Sequence, residues 1–187
     1  MNEILHLLMH RLDTSIGEML IVSDQNGNLR AVDWTDHEPR MHRSLRLHYG
    51  ENGFRLEAVR NANDLTRAIS RYFAGELTAI DSLPVETRGT PFQRAVWHAL
   101  RNIPCGTTIS YAQLAWNVGR SKAVRAVGLA NGSNPIGVVV PCHRVIGADG
   151  SLTGYGGGIE RKRWLLRHEG APTRESLQSG RALPLFG

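Results

Sequence analysis

The sequence predicts two unlike halves, a small α/β unit followed by a mostly α-helical unit that carries a helix-turn-helix. Three observations point there. Strand-like runs separated by turn signals fill the first 35 residues. From Thr90 onward the apolar residues recur at helical spacing. Charge divides at the same place: residues 1–87 hold nine Lys/Arg against thirteen Asp/Glu, and residues 88–187 hold thirteen against four. The halves therefore balance at −4 and +9, and the second suits a polyanion partner or simply a solvated basic surface.

His6–Leu12, Glu18–Ser23 and Leu29–Trp34 read as a β-meander. Its turns are 13–17 and 24–28, and the second carries the Asn26-Gly27 hairpin signal. Glu38–Tyr49 reads as a helix with a solvated basic face, stopped by Gly50. Asn63–Phe73 is a second helix, with Leu65, Ala68, Ile69, Tyr72 and Phe73 on one stripe and Gly75 as its stop. Leu77–Pro84 reads as extended, and Glu86–Gly89 as a linker. The expected domains are 1–87 and 88–170, with a poorly ordered tail over 171–187.

Thr90 and Pro91 open a helix as cap and first residue. Phe92, Val96, Ala99, Leu100 and Ile103 form its apolar stripe, and Pro104 and Gly106 end it, with Cys105 as a structural residue of the turn. Ser110 caps a helix over Tyr111–Val118, Gly119 turns the chain, and Ser121 caps a second helix over Lys122–Ala130. That second helix has no Asn, Gln or Glu to read base edges in a major groove. It is built of Ala, Val and Gly around Arg125, which suits close approach to a narrow minor groove or an ordinary core helix with one exposed Arg. Asn134-Pro135 breaks it, and Glu160–His168 is a final amphipathic helix whose Arg161, Lys162, Arg163 and Arg167 read as mostly solvated.

The chemistry concentrates between Asn134 and Gly158. Val138–Val140 read as a short buried strand that delivers Cys142 at the edge of the core, after Pro141. His143 and Arg144 follow, and both favour a thiolate over a thiol. A glycine-rich loop, Gly154 to Gly158, carries one aromatic, Tyr155. A cysteine beside a base is a candidate nucleophile. A lone cysteine is also, more commonly, a small buried hydrophobe. Neither reading is excluded by the residues alone.

PCHRV (141–145), TGYGGG (153–158) and KRWLLRHEG (162–170) together resemble the active-site segment of the O6-alkylguanine-DNA alkyltransferases. The resemblance runs strongly from Thr90 to Gly170, while RYFAGEL (71–77) fits the bacterial constitutive branch. It implies a ribonuclease H-like α/β domain followed by a helix-turn-helix (winged-helix-like) domain. It implies repair by direct reversal, with an alkyl group moved irreversibly from guanine O6, or thymine O4, to Cys142. His143 is then the base and Glu169 its orienting acid. Tyr111 donates toward guanine N3, the Val145 backbone and the Cys142 carbonyl accept from the exocyclic amine, Tyr155 walls the base, and Asn134 ties the recognition helix to the cysteine strand. Arg125 becomes the finger that fills the gap left by a flipped nucleotide, with Arg120, Ser121, Lys122, Ala123, Ala126 and Gly128 beside it on the DNA. Lys162 matches a position near the pocket.

The implied partner is double-stranded DNA bound through the minor groove with little sequence readout, by a monomer without a cofactor. Some relatives carry a structural zinc in the first domain, but His6, His10, His37, His42 and His48 lack its ligand spacing, so no metal is expected. Mammalian relatives have a serine where Gly156 stands, which predicts a roomier pocket here. No run of about 18 apolar residues predicts a membrane span, and the N-terminus lacks the pattern of a signal peptide. Two cysteines make no disulfide framework, and a reducing cytoplasm is expected. Three competing readings remain: a cysteine hydrolase, a non-catalytic module that recognises alkylated DNA, and a transcriptional regulator.

Overall fold

The structure, a computed structural model, describes residues 4–174. They form two compact units, one reaching Arg94 and recruiting Pro135–Val139, the other built from Ala95–Asn134 and the chain from Val140 onward.

The first unit is a four-stranded sheet. Strands β1 (Leu5–Thr14), β2 (Gly17–Asp24) and β3 (Leu29–Trp34) form the expected antiparallel meander. Asp24 shapes the second turn, its Oδ1 accepting from the backbone N–H groups of Asn26 and Asn28 at 2.9 Å each. Gly27 supplies the positive φ of +82° that a bulkier residue resists. Helix α1 (Glu38–Tyr49) covers one face: its Met41 and Leu45 pack with Leu7, Met9, Leu20, Val22 and Ala31. A strand the sequence did not reveal, β4 (Phe54–Ala58), then pairs parallel to β1, giving the order β3-β2-β1-β4. Its FRLEA sequence buries no residue fully, so as an edge strand it carries no apolar alternation to detect. Helix α2 (Asp64–Phe73) packs on β1 and opens with a reciprocal capping box between Asn63 and Thr66.

The segment expected to be extended, Leu77–Pro84, is instead a run of tight turns. The N–H groups of Ala79 and Asp81 bond three residues back to Glu76 and Thr78. Ile80 and Leu83, three apart, are both buried, a spacing of three where a strand would need two. Val85 then pairs with Leu29, and Pro135–Gly137 bonds Val32 on β3, with Val32 N–H donating to Pro135 O at 2.9 Å and Gly137 N–H to Val32 O at 3.0 Å.

Helix α3 (Pro91–Arg101) begins at a Thr90–Gln93 capping box. The two units divide within it, between Arg94 and Ala95. Its Val96, Trp97 and Leu100 enter the core of the second unit. Trp97, outside the predicted stripe, donates its indole N–H to Ala130 O at 2.8 Å. Strand β5 (Ile109–Ser110) leads into α4 (Tyr111–Asn117), capped by Ser110, and Gly119 turns the chain at φ +67° into α5 (Val124–Gly132). Ser121 is not the cap of α5; that place belongs to Ala123, without a side-chain bond. The delay follows from a further turn, closed by Ala123 N–H to Arg120 O at 2.7 Å.

Strand β6 (Val145–Ile146) pairs parallel to β5, and α6 (Ile159–His168) completes the unit. The expected tail lies from residue 175 onward outside the described residues. Its first part is packed, with Ala171 against Ile146 and Leu166, and Thr173 buried. Among the described residues no helix is long and apolar enough to cross a membrane.

Candidate active site

Val138–Val140 are buried as expected but are not a strand. The chain turns at each step, and Val138 lies at φ +68°. Val139 N–H donates to Gly137 O at 2.8 Å, closing a γ-turn on Val138. Full burial of Val138 holds this β-branched residue in a region it ordinarily avoids. A second tight turn on Pro141 takes Cys142 N–H to Val140 O at 2.8 Å. Asn134 donates its side-chain amide to the same Val140 carbonyl at 2.8 Å, the bridge expected of it. Cys142, His143 and Arg144 form one 3-10 turn and not an extended stretch.

Cys142 is 8% exposed, and His143 is fully buried. His143 Nε2 lies 3.0 Å from Glu169 Oε1. Glu169 is gripped as well by Arg144, whose Nε reaches Oε2 and whose Nη2 reaches Oε1, each at 2.9 Å. Arg144 also donates to Ile103 O at 2.6 Å, tying the group to the end of α3. Burial alone would raise the Glu169 pKa, but His143 and Arg144 outweigh it and hold the carboxyl well below the usual range. Burial pushes His143 down against the pull of Glu169, so its imidazole is neutral at pH 7. A neutral ring that donates Nε2–H to the carboxylate keeps its lone pair on Nδ1. Nδ1 is buried with no hydrogen-bond partner among the described residues.

Lys162 corrects a second expectation. It is fully buried, not solvated, and donates to Val145 O at 2.6 Å and Thr153 O at 2.7 Å. It thereby pins the strand after the cysteine to the glycine-rich loop. Burial lowers its pKa to about 8, and a negative Cys142 opposes that shift. Sequence spacing held no sign of this burial, since Lys162 sits in a basic run. The carbonyls of Val145 and Cys142 accept from Lys162 and from Val145 N–H, respectively.

Tyr155 is half-buried with its ring edge-on to His143, centroids 6.4 Å apart, and Gly156 beside it is exposed. Across from the loop, Thr153 Oγ1 lies 3.4 Å from Tyr111 Oη. Tyr111 in turn borders α5: a Cβ on Gly128 would stand 3.6 Å from its ring. On α5 and the turn before it, Arg120, Ser121, Lys122, Arg125 and Ala126 are exposed and Ala123 is half-buried. The helix runs past its predicted end and includes Asn131, but that residue is buried and so reads no base edge. Among the described residues no group of three or more His, Cys, Asp or Glu gathers to hold a metal.

The ribonuclease-like domain model of 6-O-methylguanine DNA methyltransferase matches residues 7–87, and the DNA binding domain model of the same family matches residues 91–171. A methylated-DNA–protein-cysteine methyltransferase of Shigella flexneri is 51% identical over 166 residues, covering 89% of this chain and 97% of its own. The crystal structure of Mycobacterium tuberculosis OGT in complex with DNA is similar at a TM-score of 0.72 and 39% identity, over 92% of this chain and 99% of that one. The O6-methylguanine-DNA methyltransferase of Pyrococcus kodakaraensis is similar at a TM-score of 0.67 and 29% identity, over 88% and 99%. With both domain models matched and a relative spanned nearly end to end at half identity, the chain belongs to the 6-O-methylguanine DNA methyltransferase family.

Proposed function

We propose that this protein repairs DNA by direct reversal, taking alkyl groups from guanine O6, and from thymine O4, onto Cys142 in a single irreversible turnover. The observation that carries the reading is the buried His143–Glu169 pair beside the cysteine, with Nδ1 of His143 lacking a hydrogen-bond partner among the described residues. His143 takes the Cys142 proton. The thiolate attacks the alkyl carbon, the C–S bond forms as the C–O6 bond breaks, and the electron pair leaves with the purine. Tyr111 donates a proton toward N3, so guanine departs neutral, and the proton lost by the thiol makes good the balance. Glu169 stabilises the imidazolium in between. The thioether product is stable in water, so each molecule acts once.

The target atom lies inside a duplex, so the base must be extruded. The small residues of α5 and its exposed Arg125 support a minor-groove approach with little sequence readout. A DNA complex of the related M. tuberculosis protein supports the same class of partner. A monomer in a reducing cytoplasm suits two cysteines, Cys105 and Cys142, that are not joined in a disulfide.

The test mixes the protein with an excess of duplex carrying a labelled methyl group on guanine O6. Label should rise to one per protein molecule and stop, with none on Cys142→Ala. Continuous turnover would favour a hydrolase. Binding without label would leave a damage-recognition module and remove the roles given to Cys142, His143 and Glu169.

A further inference from the structure

Helix α5 carries a large apolar residue that the core does not use. Leu129 is 74% exposed, while Val127, Ala130 and Asn131 make the buried face of the helix. At 3.6 residues per turn, Leu129 stands about 40° around the helix from Arg125 and about 6 Å further along its axis. The two side chains therefore share one solvent-facing stripe. Around them the helix and its preceding turn offer only short or cationic residues: Ser121, Lys122, Ala126, Gly128 and Gly132. A single exposed leucine is unremarkable on most surfaces. Its placement here, one turn beyond the only Arg of a helix otherwise trimmed to small residues, is what calls for a partner.

We propose that Leu129 is a second DNA-positioning residue, an apolar wedge that packs in the minor groove against the base step bordering the gap filled by Arg125. This rests on the transferase reading above. Extruding a nucleotide leaves a hole and unstacks its neighbours. A guanidinium fills the hole but covers little of the exposed base faces. Apolar side chains inserted from the minor groove stabilise such unstacked steps in other architectures. The occupant of this apolar patch is thus the duplex itself, continuous with the surface that presents Arg125. Leu129 faces solvent and not the core, so its contribution should appear only when a base has to be flipped.

The experiment compares two substrates in single-turnover reactions. One is duplex DNA with a single O6-methylguanine, the other the free base O6-benzylguanine, which needs no flipping. Leu129→Ala and Leu129→Ser should slow reaction with the duplex about five- to tenfold and leave the free-base rate within twofold. Leu129→Met, which keeps an apolar side chain, should hold both rates near wild type. Exposure of the site means that folding is unaffected, and thermal midpoints check this. Equal duplex rates for wild type and Leu129→Ser would overturn the inference. So would an equal loss on both substrates, which would place the effect in the pocket or the fold. A wild-type protein inert toward both substrates would overturn the transferase reading, and the inference with it.

Discussion

Arg144 holds Glu169 by both carboxylate oxygens, with two contacts of 2.9 Å, while His143 shares one of those oxygens at 3.0 Å. The three side chains are buried, so the negative charge of Glu169 serves two partners inside the protein. Arg144 keeps Glu169 ionised and in place, and Glu169 keeps the imidazole oriented.

Glu169→Gln should therefore cost more than activity. It leaves the Arg144 guanidinium buried without its counter-ion, a loss on the order of 3–5 kcal/mol. Urea unfolding should show it, and single-turnover methyl transfer should fall about 10- to 100-fold. Adding Arg144→Met to Glu169→Gln should restore part of the stability and none of the activity. If the double variant is the less stable, the unpaired guanidinium is not the source of the cost.

His143 and Glu169 both have pKa values below their ordinary 6.5 and 4.5. The unfolded chain takes up a proton at His143 as pH falls through about 6.5, before the folded chain does, so stability declines below that point. Glu169 adds a second decline as pH falls below about 4.5. The transfer rate should stay free of a His143 protonation step down to pH 6.5, because the buried imidazole is still neutral there. Urea midpoints against pH should show a smaller first decline in His143→Gln, the remainder belonging to His48, which burial also shifts down, and should keep the second.

Lys162→Met removes a buried ammonium together with its bonds to the carbonyls of Val145 and Thr153. Freed from Lys162, the loop bearing Tyr155 should loosen, and transfer should slow by about tenfold or more. The wild type should gain stability as pH rises from about 8 toward 10.5, since the unfolded lysine still holds a proton that the folded one has lost. That gain should vanish in Lys162→Met. Its persistence would assign the alkaline titration to another group.

Asn134→Ala deletes the amide that holds Val140 O at 2.8 Å. The loss should be about 1–2 kcal/mol in unfolding. A slower transfer at unchanged DNA affinity would show that Asn134 acts by placing the cysteine turn. Weakened binding with an unchanged rate would place its effect on α5 instead.

Gly156, exposed beside Tyr155, predicts tolerance of adduct size. Methyl, ethyl and butyl adducts should react within about tenfold of one another in wild type, and Gly156→Ser should widen that spread by slowing butyl most. A steep size penalty in wild type would discard the idea.

What the sequence determined by itself was local chemistry. Both capping boxes, the Asn26-Gly27 turn, the first two helices and the cysteine–histidine pair follow from residues within a few positions of one another. The resemblance added the pairing of His143 with Glu169, 26 residues apart, and the structure brings those side chains together. Tertiary structure alone decided what depends on distant partners. Lys162 reads as one more surface cation in a basic run until the carbonyls of Val145 and Thr153 close over it. Arg144 reads as a neighbour of the cysteine until Glu169, 25 residues on, meets its guanidinium. β4 exists because β1 offers an edge, and Val138 keeps its positive φ because burial outweighs a local preference. In each case a long-range contact supplied the free energy that local sequence lacked.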